Sequence, residues 1–150
     1  MNIEMVIAGR KEPVATTAPD AASADAARLL SDKRIGLLVV CDAGGAIVGV
    51  LSERDIVRGL SDHGAGLSRK KVADLMTGDV LTCSPGDSVI QILEIMSERR
   101  IRHVPVVEDG NLVGMVSIRD LMQHMLKHDA ARIKDMMMSI YEKSGAYPWA

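Results

Sequence analysis

One seven-residue pattern occurs twice in this chain. Gly49-Val50-Leu51-Ser52-Glu53-Arg54-Asp55 returns as Gly114-Met115-Val116-Ser117-Ile118-Arg119-Asp120, with Gly, Ser, Arg and Asp identical and two of the other positions apolar in both copies. A duplication this dense means that one supersecondary unit is used twice, which constrains the fold before any local propensity does. The match extends outward. At an offset of 66, Val14, Thr16, Pro19, Ser31, Arg34, Ile35 and Val40 match Val80, Thr82, Pro85, Ser97, Arg100, Ile101 and Val106. One residue is then lost in a glycine-rich turn, so Gly45 matches Gly110, and the offset of 65 holds through Asp55 and Asp120. A length change disturbs least in a surface turn. The copies run from about Val6 to Leu60 and from about Val72 to Leu126.

Each copy reads β-α-β-β-α. In the second, Val80 to Cys83 is a short strand and Ser84-Pro85-Gly86-Asp87 a turn. Val89, Ile92, Leu93 and Met96 recur at i, i+3, i+4, i+7, the spacing of an amphipathic helix ending near Arg100. His103 to Val107 is a strand, Glu108-Asp109-Gly110-Asn111 a hairpin turn, Leu112 to Val116 the return strand, and Ser117 opens a second helix. The first copy repeats the plan: strand Val14 to Thr17, helix Ala21 to Asp32, strand Gly36 to Cys41, strand Ala46 to Leu51 and a helix from Ser52. A single copy of some fifty residues buries too little surface to be stable alone. The expected fold class is therefore α+β, with two β-α-β-β-α repeats packed about a pseudo-two-fold axis and a C-terminal helical extension. The expected boundaries are 1–66 for the first repeat with its lead-in and linker, 67–128 for the second repeat and 129–150 for the tail. Ser61 to Gly66 reads as a polar, flexible connection.

Hydrophobic residues make up 47% of the chain, but aromatics only 2% and Phe is absent, so the core is aliphatic with Met as adaptable filler. A net charge of −2 argues against a dedicated nucleic-acid binder, which would show a basic stripe. Met1 to Met5 lacks the basic and long apolar regions of a signal peptide. No apolar run reaches the roughly 18 residues of a membrane span. Cys41 and Cys83 lie in different strands without metal-like spacing and read as free thiols in a reducing cytoplasm. His124 and His128, at i, i+4, read as a solvated helix face rather than a metal clasp, since no Glu follows the first His. Gly44 to Gly49 has no Lys-Ser/Thr after it and is not a phosphate loop. With no nucleophile and no acid–base pair arguable from spacing, no enzyme activity is expected.

These features resemble a known family. Two β-α-β-β-α repeats, each ending in Gly-apolar-apolar-Ser-x-Arg-Asp, are similar to a tandem CBS-domain pair (cystathionine β-synthase domains). The Ile101-Arg102-His103-Val104-Pro105-Val106-Val107 strand and the Lys71-Val72-Ala73-Asp74-Leu75-Met76-Thr77 lead-in add to the resemblance, which spans about Val6 to Leu126. It implies a stand-alone regulatory module that binds an adenosine-type ligand in clefts between the repeats. AMP, ATP, NADH and S-adenosylmethionine remain open as reversible ligands, and no cofactor is required. The resemblance also implies a homodimer and an unidentified regulated protein. A ligand-free protein–protein adaptor on the same scaffold is the rival.

The motif residues suit that chemistry. Ser52 and Ser117 lie where a strand gives way to a helix, whose first N–H groups favour anions. Arg54 and Arg119 can add charge-assisted contacts to a phosphate. Asp55 and Asp120 can accept both hydroxyls of a ribose diol, as an acidic residue does in dinucleotide folds. An adenine would lie by the strand edges near Thr16 or Thr82. The competing reading is that Ser-x-x-Asp is a helix capping box and nothing more. By resemblance, the Arg102-His103 strand lines a cleft and supplies basic groups, where the first copy has only Gly36 and Leu37. His103 could then reach across to the site built on Ser52 and Asp55, while Arg102 serves its own side. Pro105 removes a backbone donor, which suits an edge or a place where backbone must stay free.

Helical periodicity continues past the second motif. Leu121, Met122, Met125, Leu126, Ile133, Met136, Met137, Ile140 and Tyr141 keep approximate i, i+3, i+4 spacing to about Lys143, with a bend expected near His128-Asp129. This tail either folds back on its own module or presents its Met-rich face to a second chain. The last residues, Ala146-Tyr147-Pro148-Trp149-Ala150, hold the only Trp and read as a disordered end or a small docking peg.

Overall fold

The computed structural model describes residues 1–144; Tyr147 and Trp149 lie outside them. The element order is α1 (Ile3–Ile7), β1 (Thr16–Thr17), α2 (Ser23–Lys33), β2 (Leu37–Cys41), β3 (Ile47–Ser52), α3 (Glu53–His63), a 3-10 helix (Gly64–Arg69), α4 (Val72–Leu75), α5 (Val89–Arg99), β4 (His103–Glu108), β5 (Asn111–Ser117), α6 (Ile118–His128) and α7 (Ala130–Ser144). This is the expected α+β class with both repeats. The linker differs from expectation: α3 runs through His63 and a 3-10 helix follows it, so Ser61 to Gly66 is helical. The strand expected over Val80 to Cys83 reduces to one parallel bridge between Cys83 and Val106. Cys83 is buried, which pushes its thiol up to about 12, with Asp87 adding to the shift.

The chain divides into two compact units that do not follow the sequence halves. One joins Pro13–Leu81 with Gly110–Leu112; the other joins Met1–Glu12 and Thr82–Asp109 with the chain from Val113 onward. Each lead-in thus belongs to the unit of the other repeat.

In the unit of the first repeat, β1 pairs parallel with β2, and β2 pairs antiparallel with β3. The apolar run in β2 is buried at Leu38, Val39 and Val40, and Leu51 of β3 is fully covered too. Ala26 and Leu30, one turn apart on α2, join Leu38, Val40, Leu51 and Val72 in one core. α2 turns Ser23, Ala26 and Leu30 inward. It ends at Arg34, which sits in the left-handed region (φ 53°, ψ 46°), and the N–H groups of Arg34 and Ile35 fold back onto the carbonyl of Leu30. α5 ends identically at Arg100 (φ 55°, ψ 38°). The repeat therefore carries the same helix stop twice, with Arg where Gly is usual.

The lead-ins dock in equivalent ways. Lys71 bridges Ala22, and the N–H groups of Val72 and Ala73 donate to the carbonyls of Ala21 and Pro19. In the other unit Asn2 bridges Ser88, and the N–H groups of Ile3 and Glu4 donate to Asp87 and Pro85. Ile3 and Val72 are both fully buried and both open a short helix. The lead-ins therefore match at an offset of 69, Ile3 to Val72, and not at the 66 that pairs Val6 with Val72. A slip of three residues keeps the apolar face of a helix in place, so periodicity alone cannot separate the two registers.

The tail folds back on its own module. α6 breaks at Asp129 (φ −163°, ψ 85°), as the bend near His128-Asp129 anticipates, and α7 returns. Met136, Met137 and Ile140 line one small cavity with Leu93, Met122 and Met125, and Ile140 is buried. Met136, Met137 and Ile140 thus face the module, while Met138 stays exposed. Among the described residues, no helix is long and apolar enough to cross a membrane.

Candidate functional site

Both motifs straddle a strand-to-helix junction. Ser52 ends β3 and Ser117 ends β5 in extended backbone, and each is the N-cap of the next helix. Three local hydrogen bonds fix each turn. The Asp55 N–H donates to Ser52 Oγ (3.1 Å), while the Ser52 N–H and hydroxyl donate to Asp55 Oδ2 (2.9 and 3.0 Å). The second copy repeats this: Asp120 N–H to Ser117 Oγ at 3.1 Å, and Ser117 N–H and hydroxyl to Asp120 Oδ2 at 2.8 and 2.7 Å. Both are complete capping boxes, so the competing reading is satisfied in both copies.

Capping consumes only one carboxylate oxygen. Oδ1 is engaged from outside the box, and differently in the two copies. Asp55 Oδ1 meets the Thr77 hydroxyl and Arg58 Nη1, each at 3.4 Å, which are weak contacts at the edge of hydrogen-bond range. Asp120 Oδ1 is held by Arg10 Nη2 at 3.1 Å, while Arg10 Nη1 donates to the Met115 carbonyl at 2.7 Å. Burial alone would raise the Asp120 pKa. The Ser117 hydrogen bonds and the Arg10 guanidinium outweigh it and hold this carboxyl below its ordinary value.

The helix amides are less open to an anion than the motif suggests. The first helical N–H donates to backbone in both copies, Glu53 to the Gly36 carbonyl (3.0 Å) and Ile118 to the Arg102 carbonyl (2.9 Å). The third donates to the capping Ser. The basic groups that each motif presents to solvent are the exposed side chains of Arg54 and Arg119.

Glycine opens each motif because the lead-in lies against it. A Cβ on Gly49 would come within 2.7 Å of Met76 Sδ and 3.0 Å of the Thr77 carbonyl oxygen. On Gly114 it would meet Ile7 at 3.3 Å. The same packing delivers Thr77 to Asp55, and Arg10 just beyond α1 to Asp120. Neither residue was among the candidates from the sequence. Arg10 has no counterpart in the repeat, and its partners lie more than a hundred residues away.

The other candidates fall as follows. Ser52, Arg54, Asp55 and Thr16 share a unit, with exposed Thr16 on β1, separated from β3 by β2. Ser117, Arg119, Asp120, Thr82, Arg102, His103 and Pro105 share the other. The Arg102 backbone touches the start of α6, and half-buried His103 opens β4. Pro105 is buried inside β4, where its carbonyl accepts from Cys83 N–H (3.0 Å), setting exposed Thr82 beside that strand. His124 and His128 stack with ring centroids 4.7 Å apart, and His124 Nε2 is buried without a hydrogen-bond partner. Desolvation first, then the charges of His128 and Lys127, lower the His124 pKa. Among the described residues no group of three or more His, Cys, Asp or Glu side chains could hold a metal.

Comparison with known proteins identifies the family. The CBS-domain family model matches residues 9–62 and 72–127. The chain is 35% identical over 103 residues to the mitochondrial CBS domain-containing protein CBSX3 of Arabidopsis thaliana; the match covers 66% of this chain and 50% of that protein, so it spans about half the relative's length. A CBS-domain-containing protein from Agrobacterium tumefaciens superposes with a TM-score of 0.78 at 35% identity, covering 81% of this chain and 91% of that one. The CBS pair of MJ0100, solved with 5′-methylthioadenosine and S-adenosyl-L-methionine, gives 0.74 at 25% identity over 85% and 97% of the two chains. CBSX2, solved with AMP, gives 0.72 at 25% identity over 84% and 96%. With two tandem matches, each enclosing one Ser-x-Arg-Asp junction of the same build, the chain belongs to the CBS-domain family.

Proposed function

We propose that this CBS pair is a regulatory sensor of an adenosine-type nucleotide, AMP, ATP or a related ligand, bound reversibly at the Ser52–Asp55 and Ser117–Asp120 motifs. The division of labour in each aspartate carries the reading. One oxygen is spent on the helix cap and the other is met by side chains from outside the box, so capping and ribose binding are compatible in one carboxylate. The ligands held by CBSX2 and MJ0100 have an adenosine group in common, which supports the same class here. In this reading Asp55 and Asp120 take the ribose hydroxyls. Ser52, Ser117, Arg54 and Arg119 meet the phosphate, with Arg102 and His103 as further basic groups. Thr16, Thr82 and the Pro105 strand flank the base. A ligand that prefers one arrangement of the repeats shifts the population toward it and so signals to a regulated protein. No reaction is assigned. Homodimerisation and a cytoplasmic setting, in keeping with two free cysteines, belong to the same proposal.

A thermal melt tests it. AMP at ~100 times its dissociation constant should stabilise the protein by roughly 2.7 kcal/mol. Asp55→Ala with Asp120→Ala should remove that shift while leaving a folded protein. An equal shift in both proteins, or none in either, refutes the ribose assignment.

The adaptor reading has one observation in its favour. Val57 and Leu60, one turn apart on α3, are 67% and 56% exposed. A protein that ignores adenylates but changes its association state on Val57→Asp and Leu60→Asp would fit that reading instead.

A further inference from the structure

The two copies of the motif make the same cap hydrogen bonds, yet the outer aspartate oxygen is treated differently. In the first copy its neighbours are the Thr77 hydroxyl and the Arg58 guanidinium, both at 3.4 Å, the latter an ion pair within the same helix. In the second a guanidinium sits on it at 3.1 Å. That guanidinium is anchored twice, since Arg10 also donates to the Met115 carbonyl, inside the motif itself, at 2.7 Å. The backbone is shaped for this contact. Gly9 has a left-handed φ of 80°, and the Arg10 N–H turns back to the Ile7 carbonyl (3.2 Å), so the chain reverses just after α1. α1 is itself pinned by fully buried Ile3 and by Ile7 against Gly114. Arg10 is therefore delivered to Asp120 by a fixed element and is not a loose surface side chain that happens to lie nearby.

We propose that Arg10 is a specificity-determining latch on the second motif, making it selective for an anionic nucleotide over the neutral nucleoside. The proposal rests on the nucleotide-binding reading above. Asp120 Oδ2 is fully used by Ser117, so an incoming ribose diol must compete for Oδ1, the oxygen that Arg10 holds. A neutral nucleoside would displace the guanidinium and leave it without an anion. A nucleotide brings its own anion to the same junction, where Arg10, 41% exposed and using only two of its five N–H donors on these partners, can move from carboxylate to phosphate. The ion pair is exchanged and not lost. The counter-charge of the first motif, Arg58, lies at 3.4 Å on a 63% exposed side chain of the same helix, a weaker contact that imposes less of this selectivity.

The test needs a signal from the second motif alone. The Met115 methyl group, one residue from Gly114 in that motif, provides it in methyl-labelled protein, assigned with Met115→Leu. Wild type and Arg10→Ala are titrated with AMP and, separately, with adenosine. In wild type the Met115 signal should respond to AMP at much lower concentration than to adenosine. In Arg10→Ala adenosine should bind more tightly and AMP more weakly, so that the ratio of the two affinities falls by about fivefold, the upper range for a partly exposed ion pair. An unchanged ratio overturns the latch while leaving nucleotide binding intact. No response to either compound in either protein overturns the nucleotide reading and the latch with it. Should Arg10→Ala lower the melting temperature strongly, Arg10→Met keeps the aliphatic stem and removes only the charge, and the same ratio decides.

Discussion

Gly49→Ala should be clearly destabilising and Gly114→Ala almost silent, although the two glycines occupy the same place in the repeat. Neither has a positive φ, so alanine meets no backbone strain, and the loss of unfolded-chain entropy should favour it by ~0.4–1 kcal/mol. The difference lies in what the new methyl touches. At Gly49 it would be 2.7 Å from Met76 Sδ, which can swing away, but also 3.0 Å from the Thr77 carbonyl oxygen, which cannot. Thr77 is clamped to Val50 by two backbone hydrogen bonds of 2.9 Å each, so it retreats only by stretching them. Overpacking of this kind costs about 1–3 kcal/mol. Net of the entropy gain, Gly49→Ala should lose roughly 1–2 kcal/mol, or about 2–8 °C in melting temperature for a chain of this size. At Gly114 the neighbours are only side-chain atoms of Ile7, at 3.3 Å, and a shift of a few tenths of an ångström relieves them. The expected change is within ~0.5 kcal/mol. Urea denaturation followed by circular dichroism measures both. Equal stability of the two mutants, or a more stable Gly49→Ala, would refute the view that the lead-in is wedged against the motif strand.

Three further outcomes follow from the same structure. Arg34→Gly and Arg100→Gly should each stabilise the protein by up to ~1 kcal/mol, since both arginines occupy left-handed backbone that glycine adopts freely; thermal melts of the two single mutants check this. Because the Asp120 pKa is depressed on folding, its stabilising effect is present above its ordinary value of 3.8 and is lost as pH falls through the lower folded value; acid titration of Asp120→Asn, followed by circular dichroism, should therefore show a flatter stability profile below about pH 4 than wild type. Ile140→Ala should cost about 2 kcal/mol in urea denaturation, because Ile140 is buried against the second repeat, and removing the chain from Asp129 onward should cost more by baring Leu93, Met122 and Met125.

Much of this architecture is legible in the residues alone, and the parts that are not share a cause. The junctions at Ser52 and Ser117 are readable because capping is local: the Ser hydroxyl and the Asp three positions on find each other within one turn. The β2 core is readable because a short apolar run between turns has few alternatives. The lead-in register is not, because helical periodicity survives a slip of three. Whether α7 folds back or faces a second chain is not, because the same Met stripe serves either end. Arg10 is the clearest case: no pattern within a few residues marks it, and its worth lies wholly in contacts with Met115 and Asp120.

The departures from symmetry also explain one another. Val57 and Leu60 on α3 correspond to Met122 and Met125 on α6 at the offset of 65. The methionines are buried and the first-copy pair is exposed, because α7 returns over the second repeat and the first repeat has no helix in that role. Asp55 and Asp120 diverge in a parallel way, through what each lead-in happens to carry at its end: a threonine in one case, an arginine in the other. The two motifs share Gly, Ser, Arg and Asp, and residues outside the motif make their surroundings unequal. Under the proposed function, nucleotide selectivity and partner contact can therefore change by substitution in the lead-ins and the tail, while Gly, Ser and Asp are tied to packing and capping in both copies.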